Sequence, residues 1–173
     1  PYALLCLRHN RSPDTYLTQH LLSAAVLGIH FSRALRLSES FVKAIALGGI
    51  LFDFGRFRLP DAMVNKTGKL TPGEFDLFRK HIDFGLHAIR NSDGLVKVIY
   101  QMTDDHHEKI DGSGYPNGKQ DKEISVYGKI AAIIDDSVGS TQGRNAAPHC
   151  KTGRRVSVSS NQRTKLVKAM MMT

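Results

Sequence analysis

The spacing of apolar residues is the feature that most constrains the fold of this chain. Between Thr15 and Leu37 they recur at steps of three and four residues, which places them on one face of a helix. Ser38 stands in the N-cap position of a second helix that is predicted to end near Gly55. No stretch shows the two-residue alternation that is typical of a half-buried strand. The sequence therefore predicts an all-α fold.

Further helices are predicted along the rest of the chain. The segment Thr71–Glu74 combines a capping box with proline at the first helical position, so a third helix should begin there and continue past His81 to Leu86. A fourth helix is predicted from Gly94 to Asp105, and His106 and His107 are expected to end it. Another helix is predicted around residues 130–134, and a glycine-rich loop, residues 111–118, precedes it.

Composition excludes several classes of protein. The chain has 173 residues, of which 41% are apolar and 23% charged, and this is ordinary for a soluble globular domain rather than a disordered or collagen-like chain. No apolar run approaches the ~20 residues that a membrane-spanning helix needs. Two cysteines, Cys6 and Cys150, do not make a disulfide framework, which favours a reducing, cytoplasmic setting.

Positive charge is concentrated at the C-terminal end. Residues 137–173 contain 7 of the 24 basic residues and none of the 16 acidic ones, which leaves 17 basic against 16 acidic residues in 1–136. No aromatic residue is interleaved with the charges of this tail, so a base-stacking platform for nucleic acid is not supported. A solvated basic extension is the simpler interpretation. Contact with nucleic acid, acidic lipid headgroups or an acidic partner is the alternative.

Six ionisable side chains occupy positions that otherwise belong to a helical core or interrupt apolar runs. They are His20, Asp53, His81, His106, His107 and Asp135. An ionised carboxylate among apolar residues is costly unless a cation or hydrogen-bond donors compensate it. One shared metal ion explains all six positions more simply than six independent explanations would.

Each of these residues also has an ordinary structural explanation. A single buried histidine is most often just hydrogen-bonded, and a histidine pair at the end of a helix complements the helix dipole. Asp53 near a helix end would cap the loop that follows, and Asp135 beside Asp136 would belong to a polar turn. The complete set, rather than any one member, favours a metal site.

The segment His106–Pro116 resembles the HHExxDGxGYP motif of HD-GYP domains, a branch of the HD metal-dependent phosphohydrolases. Several other segments resemble the same family at matching spacing, so that the resemblance covers residues 15–145. These segments are Leu59-Pro60-Asp61, Asn65–Thr71, Glu74-Phe75, Lys80-His81 with Gly85, and Ile134-Asp135.

This resemblance implies a bundle of about five to seven helices with a GYP loop. It also implies a two- or three-metal centre, usually of Fe or Mn, that hydrolyses cyclic di-GMP in bacterial second-messenger signalling. In this chain one or two ions are expected. By matching position, the six side chains given above would be the metal ligands. Asp53 and Arg56 would be catalytic. The nucleotide site would be shaped by Lys109, Asp111, Gly112, Gly114 and Tyr115. Imidazole and carboxylate ligands suit both metals, and a metal pair can promote in-line attack on phosphorus.

The chain departs from the family pattern at four positions. The HD dipeptide is Phe52-Asp53, Arg56 stands in place of a lysine, Tyr16 in place of a glutamate of some members, and Val138 in place of a frequent aspartate. Because a phenyl ring cannot coordinate a metal, we expect one well-bound ion, one impaired site, and weak or absent turnover. The missing glutamate argues against a third metal.

Two functions from different classes are consistent with these residues. One is a cyclic di-GMP phosphodiesterase; the other is a catalytically inactive cyclic di-GMP receptor or protein-interaction domain that uses the GYP surface. Hydrolysis of another nucleotide and binding of nucleic acid are weaker alternatives. Expected partners are a signalling protein at the GYP loop and a second copy of the chain, because regulatory domains of this kind are often dimeric.

Three regions are expected along the chain. Residues 1–14 read as a lead-in from a preceding domain, since the chain starts with Pro1 rather than methionine. Residues 15–145 form the HD-GYP-like domain. Residues 146–173 form the basic tail, with a short terminal helix around residues 166–170.

Overall fold

The computed structural model describes residues 16–64, 66, 68–90 and 96–141. Within these ranges it contains α-helices, one 3₁₀-helix and no strand, so the predicted all-α class is confirmed. The helices are α1 (Tyr16–Ala34), α2 (Glu39–Leu51), the 3₁₀-helix (Phe54–Arg58), α3 (Asp61–Val64), α4 (Pro72–Arg79), α5 (His81–Ile89), α6 (Val96–Asp105) and α7 (Val126–Thr141). The predicted lead-in, the basic tail and its short helix lie outside the described residues.

Two helix starts that were predicted from local signals are confirmed. The capping box is formed: the Glu74 amide donates to Thr71 Oγ1 at 3.3 Å, and the Thr71 amide donates to Glu74 Oε2 at 2.7 Å. Ser38 stands at the N-cap of α2, but its side chain makes no capping bond and its hydroxyl lies 2.8 Å from that of Ser40. The short helix α3 was not predicted.

The third helix, predicted as one continuous element, is divided into α4 and α5 at Lys80. There the Lys80 amide donates to the Leu77 carbonyl at 3.1 Å, which is the tighter three-residue step. The His81 ring nitrogen Nδ1 lies 2.6 Å from the Phe78 carbonyl, so a side chain takes up a backbone acceptor at the break. His106 and His107 were expected to end the fourth helix; they lie in the turn just after α6 ends at Asp105.

The core lies between α1, α2, α6 and α7. Its fully buried members include Ile45, Met102 and Ile130. Close approach of α1 and α2 depends on Gly49, because a Cβ there would lie 2.8 Å from the Ala25 backbone nitrogen. No helix among the described residues is both long and apolar enough to cross a lipid bilayer.

A second contact draws the 3₁₀-helix onto α5. A Cβ at Gly55 would lie only 1.8 Å from the His81 carbonyl oxygen, so only glycine allows the two backbones to meet here. This contact brings Asp53, at the start of the 3₁₀-helix, next to the first residue of α5. It thereby sets the geometry of the candidate site.

Candidate metal centre

All six predicted ligand side chains come together around the carboxylate of Asp53. They form two overlapping groups, and within each group one ligand atom per residue lies within 4.8 Å of the others. The histidine-rich group is Asp53, His81, His106 and His107, and the carboxylate-rich group is His20, Asp53 and Asp135. Helices α1, α5 and α7, the end of α2 and the turn after α6 each contribute to the site.

In the histidine-rich group, ring nitrogens and a carboxylate oxygen converge on one point. Asp53 Oδ1 lies 3.3 Å from His81 Nε2 and 3.5 Å from His106 Nε2, and these two nitrogens are 3.5 Å apart. Ligand atoms held about 2 Å from one ion stand at about this separation from each other. The spacing therefore fits a single metal ion.

The tautomers of His81 and His106 follow from their other ring nitrogen. His81 Nδ1 lies 2.6 Å from the Phe78 carbonyl, and His106 Nδ1 lies 2.9 Å from the Thr103 carbonyl. A carbonyl can only accept, so each Nδ1 carries a hydrogen, and Nε2 is the nitrogen left to bind a metal. Both Nε2 atoms then face a carboxylate oxygen, an arrangement that a metal cation would stabilise.

Burial favours the neutral form of the His81 and His107 imidazoles in this group. It lowers the pKa of His81 to about 3, against the opposing charge of Asp53. Burial also holds the pKa of His107 well below its ordinary value. His107 Nε2 is buried and has no hydrogen-bond partner among the residues that the structure describes. A neutral imidazole with a free nitrogen is the form that binds a metal.

The carboxylate-rich group behaves differently, because its imidazole lies between two carboxylates. His20 Nε2 is 3.0 Å from Asp135 Oδ1 and 3.3 Å from Asp53 Oδ2. Burial lowers the pKa of His20, but the two carboxylates outweigh burial and raise it to about 9. A proton on His20 therefore satisfies this group without a metal.

Arg56 places a second positive charge against Asp53. Its Nε lies 2.8 Å from Asp53 Oδ1, the oxygen that faces the histidine-rich group, and its guanidinium lies 5.1 Å from the centre of the Phe78 ring. Burial alone would raise the pKa of Asp53, but the charge of Arg56 and contacts from His106 and His20 hold it well below its usual range. Asp53 is thus ionised, and it contacts both Arg56 and His20.

A family model described as an HD domain matches residues 7–163 of the chain. The chain belongs to the HD domain family. Its segment at residues 106–116 supports placement in the HD-GYP branch, as do its relatives.

Relatives of this HD domain are named for phosphodiesterases. It is 35% identical over 135 residues to a cyclic di-GMP phosphodiesterase of Pseudomonas aeruginosa, which covers 78% of this chain and 33% of that protein. It is 32% identical over 130 residues to a cyclic di-GMP phosphodiesterase of Thermotoga maritima, covering 75% and 35%. It is 38% identical over 106 residues to 3'3'-cGAMP-specific phosphodiesterase 2 of Vibrio cholerae, covering 60% and 20%. The chain thus spans about a third or less of the length of these relatives.

In this HD domain the position of the first residue of the HD dipeptide is filled by hydrocarbon. The Phe52 side chain is fully buried in the main core cluster. Its ring meets the His106 ring edge-on at 4.9 Å and lies 6.1 Å from the His20 ring. Two other positions where the chain departs from the family pattern are also packed. Val138 belongs to the same core cluster, and the Tyr16 ring stacks on the His20 ring at 6.1 Å.

The GYP loop of the HD domain folds back onto the histidine-rich group through Tyr115. The Tyr115 ring stacks on the His107 ring at 4.7 Å, and its amide donates to the His107 carbonyl at 3.2 Å. Phe75 meets Tyr115 edge-on at 5.7 Å, and the Arg79 guanidinium lies 5.6 Å from the Tyr115 ring. Arg79 and Phe75 were not predicted as site residues; Glu74-Phe75 was noted only as part of the resemblance.

The other predicted nucleotide-site residues shape the loop. Gly112 has φ of +77°, which favours glycine, and a Cβ at Gly114 would lie 2.4 Å from the Lys109 backbone nitrogen. Asp111 is exposed, and its Oδ1 accepts from the amide and hydroxyl of Ser113 at 3.0 and 2.6 Å. A direct contact of Lys109, Asp111, Gly112 or Gly114 with a nucleotide stays a prediction.

Proposed function

We propose that this HD domain is a metal-dependent phosphodiesterase that hydrolyses a cyclic dinucleotide, with cyclic di-GMP as the first substrate to test. The observation that carries the proposal is the histidine-rich group, where two imidazole nitrogens and an oxygen of the ionised Asp53 carboxylate lie within 3.5 Å of one another. The names of the relatives support a cyclic dinucleotide as substrate.

The proposed ligands of the principal ion are Asp53, His81, His106 and His107, whose nitrogen and oxygen donors suit Fe or Mn. When bound, this ion supplies Lewis acid chemistry that polarises the phosphoryl group. The carboxylate-rich group is proposed as a weaker second site, because Phe52 offers no ligand atom and His20 already pairs with both carboxylates.

Arg56 is proposed to act on the substrate beside the ion. One of its donors faces Asp53, which leaves the rest of the guanidinium fork to neutralise charge on the phosphoryl oxygens. The pairing with Asp53 also orients the Arg56 side chain before the substrate arrives. The conformational entropy of this side chain is therefore lost on folding rather than on substrate binding. Tyr115 and Arg79 are proposed to form one wall of the nucleotide site.

A second candidate function is a cyclic di-GMP receptor without turnover. The specific observation in its favour is the buried ring of Phe52 at the ligand position. In this case the nucleotide would bind at the GYP loop, while hydrolysis would fail because a second ion is missing.

The proposal also includes a signalling protein that binds at the GYP loop, a homodimer of this chain and a cytoplasmic location.

Metal content and turnover measured on the same preparation separate the two functions. We expect at least one Mn or Fe per chain by mass spectrometry, and linear or mononucleotide products from cyclic di-GMP after loading with Mn²⁺ or Fe²⁺. The same assay with 3'3'-cGAMP tests substrate choice. Nucleotide binding without product would favour the receptor, and a chain that binds neither metal nor nucleotide would contradict both functions.

A further inference from the structure

A network of carboxylates ties the turn after α6 to the far end of the GYP loop. Lys119 Nζ donates to Asp104 Oδ2 at 2.5 Å and to Asp105 Oδ1 at 2.6 Å. Asp105 is 2% exposed, and its other oxygen accepts the Ser125 amide at 2.8 Å, immediately before α7 begins. One lysine thus joins the two residues that precede the histidine pair to the segment that follows the loop.

Glu108 closes the network from the other side of the histidine pair. It is 6% exposed, and its two carboxylate oxygens accept the backbone amides of Asn117 at 2.7 Å and Lys119 at 2.9 Å. Asn117 also donates from its side chain to Asp104 Oδ1 at 3.3 Å. We call Asp104, Asp105, Glu108 and Lys119 the loop clamp.

The loop clamp holds both ends of the segment that carries Tyr115. Because Asp105 and Glu108 flank His106 and His107 in the chain, the clamp fixes the metal-bearing turn and the loop to each other. Tyr115 lies between the anchors, with its ring on His107 at 4.7 Å. His81 and His106 are each oriented by a backbone carbonyl three residues earlier in the chain, whereas the His107 ring packs on a residue that only the loop delivers.

Among the described residues, Lys119 is the one cation that pairs with both Asp104 and Asp105. Two neighbouring carboxylates repel each other, and Asp105 is almost completely buried, so removal of the lysine leaves a buried charge without its cation. The carboxylates would then separate or draw in water, and either change moves the turn that holds His106 and His107.

We propose that Lys119 is a positioning residue for the metal centre: it holds Tyr115 against His107 and so keeps that imidazole directed at the ion. This inference rests on the proposed function, because its readout is an ion in the histidine-rich group. Partners that orient metal ligands typically contribute 10- to 100-fold to metal affinity.

Mn²⁺ titration of the metal-stripped full chain by calorimetry tests this role. Lys119→Met keeps the length of the side chain but removes its charge, and we expect it to weaken Mn²⁺ binding about tenfold. Lys119→Arg restores the charge and should bind within about threefold of wild type. The matched control is Lys129→Met: Lys129 donates to the Asp121 carbonyl at 2.6 Å and pairs with its carboxylate at 2.8 Å, and Asp121 belongs neither to the loop clamp nor to the ligand set. It should leave the affinity unchanged.

The visible absorption of bound Co²⁺ provides a readout that a general loss of stability would not move. In folded Lys119→Met saturated with Co²⁺, we expect the ligand-field bands to shift, and Lys119→Arg should return them to the wild-type position. If Lys119→Met does not fold, Asp104→Asn removes only the outermost carboxylate and should weaken Mn²⁺ binding about threefold.

Two failures are distinguishable. If wild type binds Mn²⁺ and Lys119→Met binds it equally tightly with unchanged Co²⁺ bands, the positioning role is wrong while the proposed function stands. The same holds if Lys129→Met weakens binding as much as Lys119→Met, because any tether of the loop would then suffice. If wild type binds neither Mn²⁺ nor Fe²⁺, both proposals are wrong.

Discussion

The two ligand groups share Asp53 but differ in what they need. In the histidine-rich group, carbonyls of Phe78 and Thr103 fix hydrogens on Nδ1, and the Nε2 atoms face each other and Asp53 Oδ1. In the carboxylate-rich group, the raised pKa of His20 keeps a proton between two carboxylates. The first arrangement leaves ring nitrogens for an external cation, whereas the second contains its own.

This difference shows that convergence of ligand-type side chains is not by itself a measure of metal affinity. A metal that enters the carboxylate-rich group has to displace a proton held by Asp53 and Asp135, whereas one that enters the histidine-rich group displaces none from His81 or His107. The hydrocarbon of Phe52 lies against both groups, on His106 and near His20. The position of the missing imidazole therefore borders both groups, and the proton on His20 is what distinguishes the carboxylate-rich group as the weaker site.

Replacement of one histidine in each group should produce the largest contrast. We expect His81→Gln to weaken Mn²⁺ binding at least about 100-fold, because a ligand to the principal ion is lost, while His20→Gln should change the affinity for the first ion less than about threefold. Calorimetric titration of both metal-stripped variants measures this, with thermal melts to show that each is folded. Equal losses in the two variants would mean that the groups act as one inseparable centre.

The substitution Phe52→His should sharpen the comparison by supplying the missing ligand. We expect metal content to rise toward two ions per chain and turnover of cyclic di-GMP to rise by about tenfold or more, as expected for two-metal phosphoryl chemistry. Phe52→Leu is the matched control, because it loosens the same buried position without adding a ligand atom, and it should leave the metal content unchanged. An increase in both variants would assign the effect to packing, and no increase in Phe52→His would place the defect elsewhere.

Most of the helices and the convergence of the six side chains could be predicted because their signals are local or belong to a dense motif. The capping box at Thr71 fixed the start of α4 from four adjacent residues. His20 and Asp53 were recognisable because an ionisable side chain stood at a core position, and the segment from His106 to Pro116 identified the loop. Convergence of these residues followed from the resemblance rather than from periodicity.

Features that depend on contacts between distant segments could not be predicted. The break at Lys80 results from local competition for a carbonyl together with close approach of Gly55 to His81, and neither leaves a helix-breaking residue in the sequence. The pair of Asp105 and Lys119 joins residues on either side of a loop, and a lone lysine there reads as an ordinary solvated charge. The acidic pair before His106 was the only available hint.

The smallest effect expected is a pH dependence with opposite signs in the two groups of the metal-free protein. His20 has a raised pKa of about 9 against 6.5 when unfolded, so its stabilising proton is fully present below pH 6.5 and lost as the pH rises toward 9. His81 has a lowered pKa of about 3, so the unfolded chain gains a proton first and stability falls as the pH drops from 6.5 toward 3.

Melting temperatures in a chelator across this range measure both slopes. His20→Gln should remove the loss between pH 6.5 and 9 and leave the acidic side unchanged, whereas His30→Gln, on the exposed face of the same helix, should alter neither. Saturating Mn²⁺ should suppress the acidic slope above about pH 5, because the ion takes the place of the competing protons on the imidazoles of the histidine-rich group. If the alkaline loss persisted in His20→Gln, the proton between Asp53 and Asp135 would not lie on His20. The two groups would then differ in geometry alone.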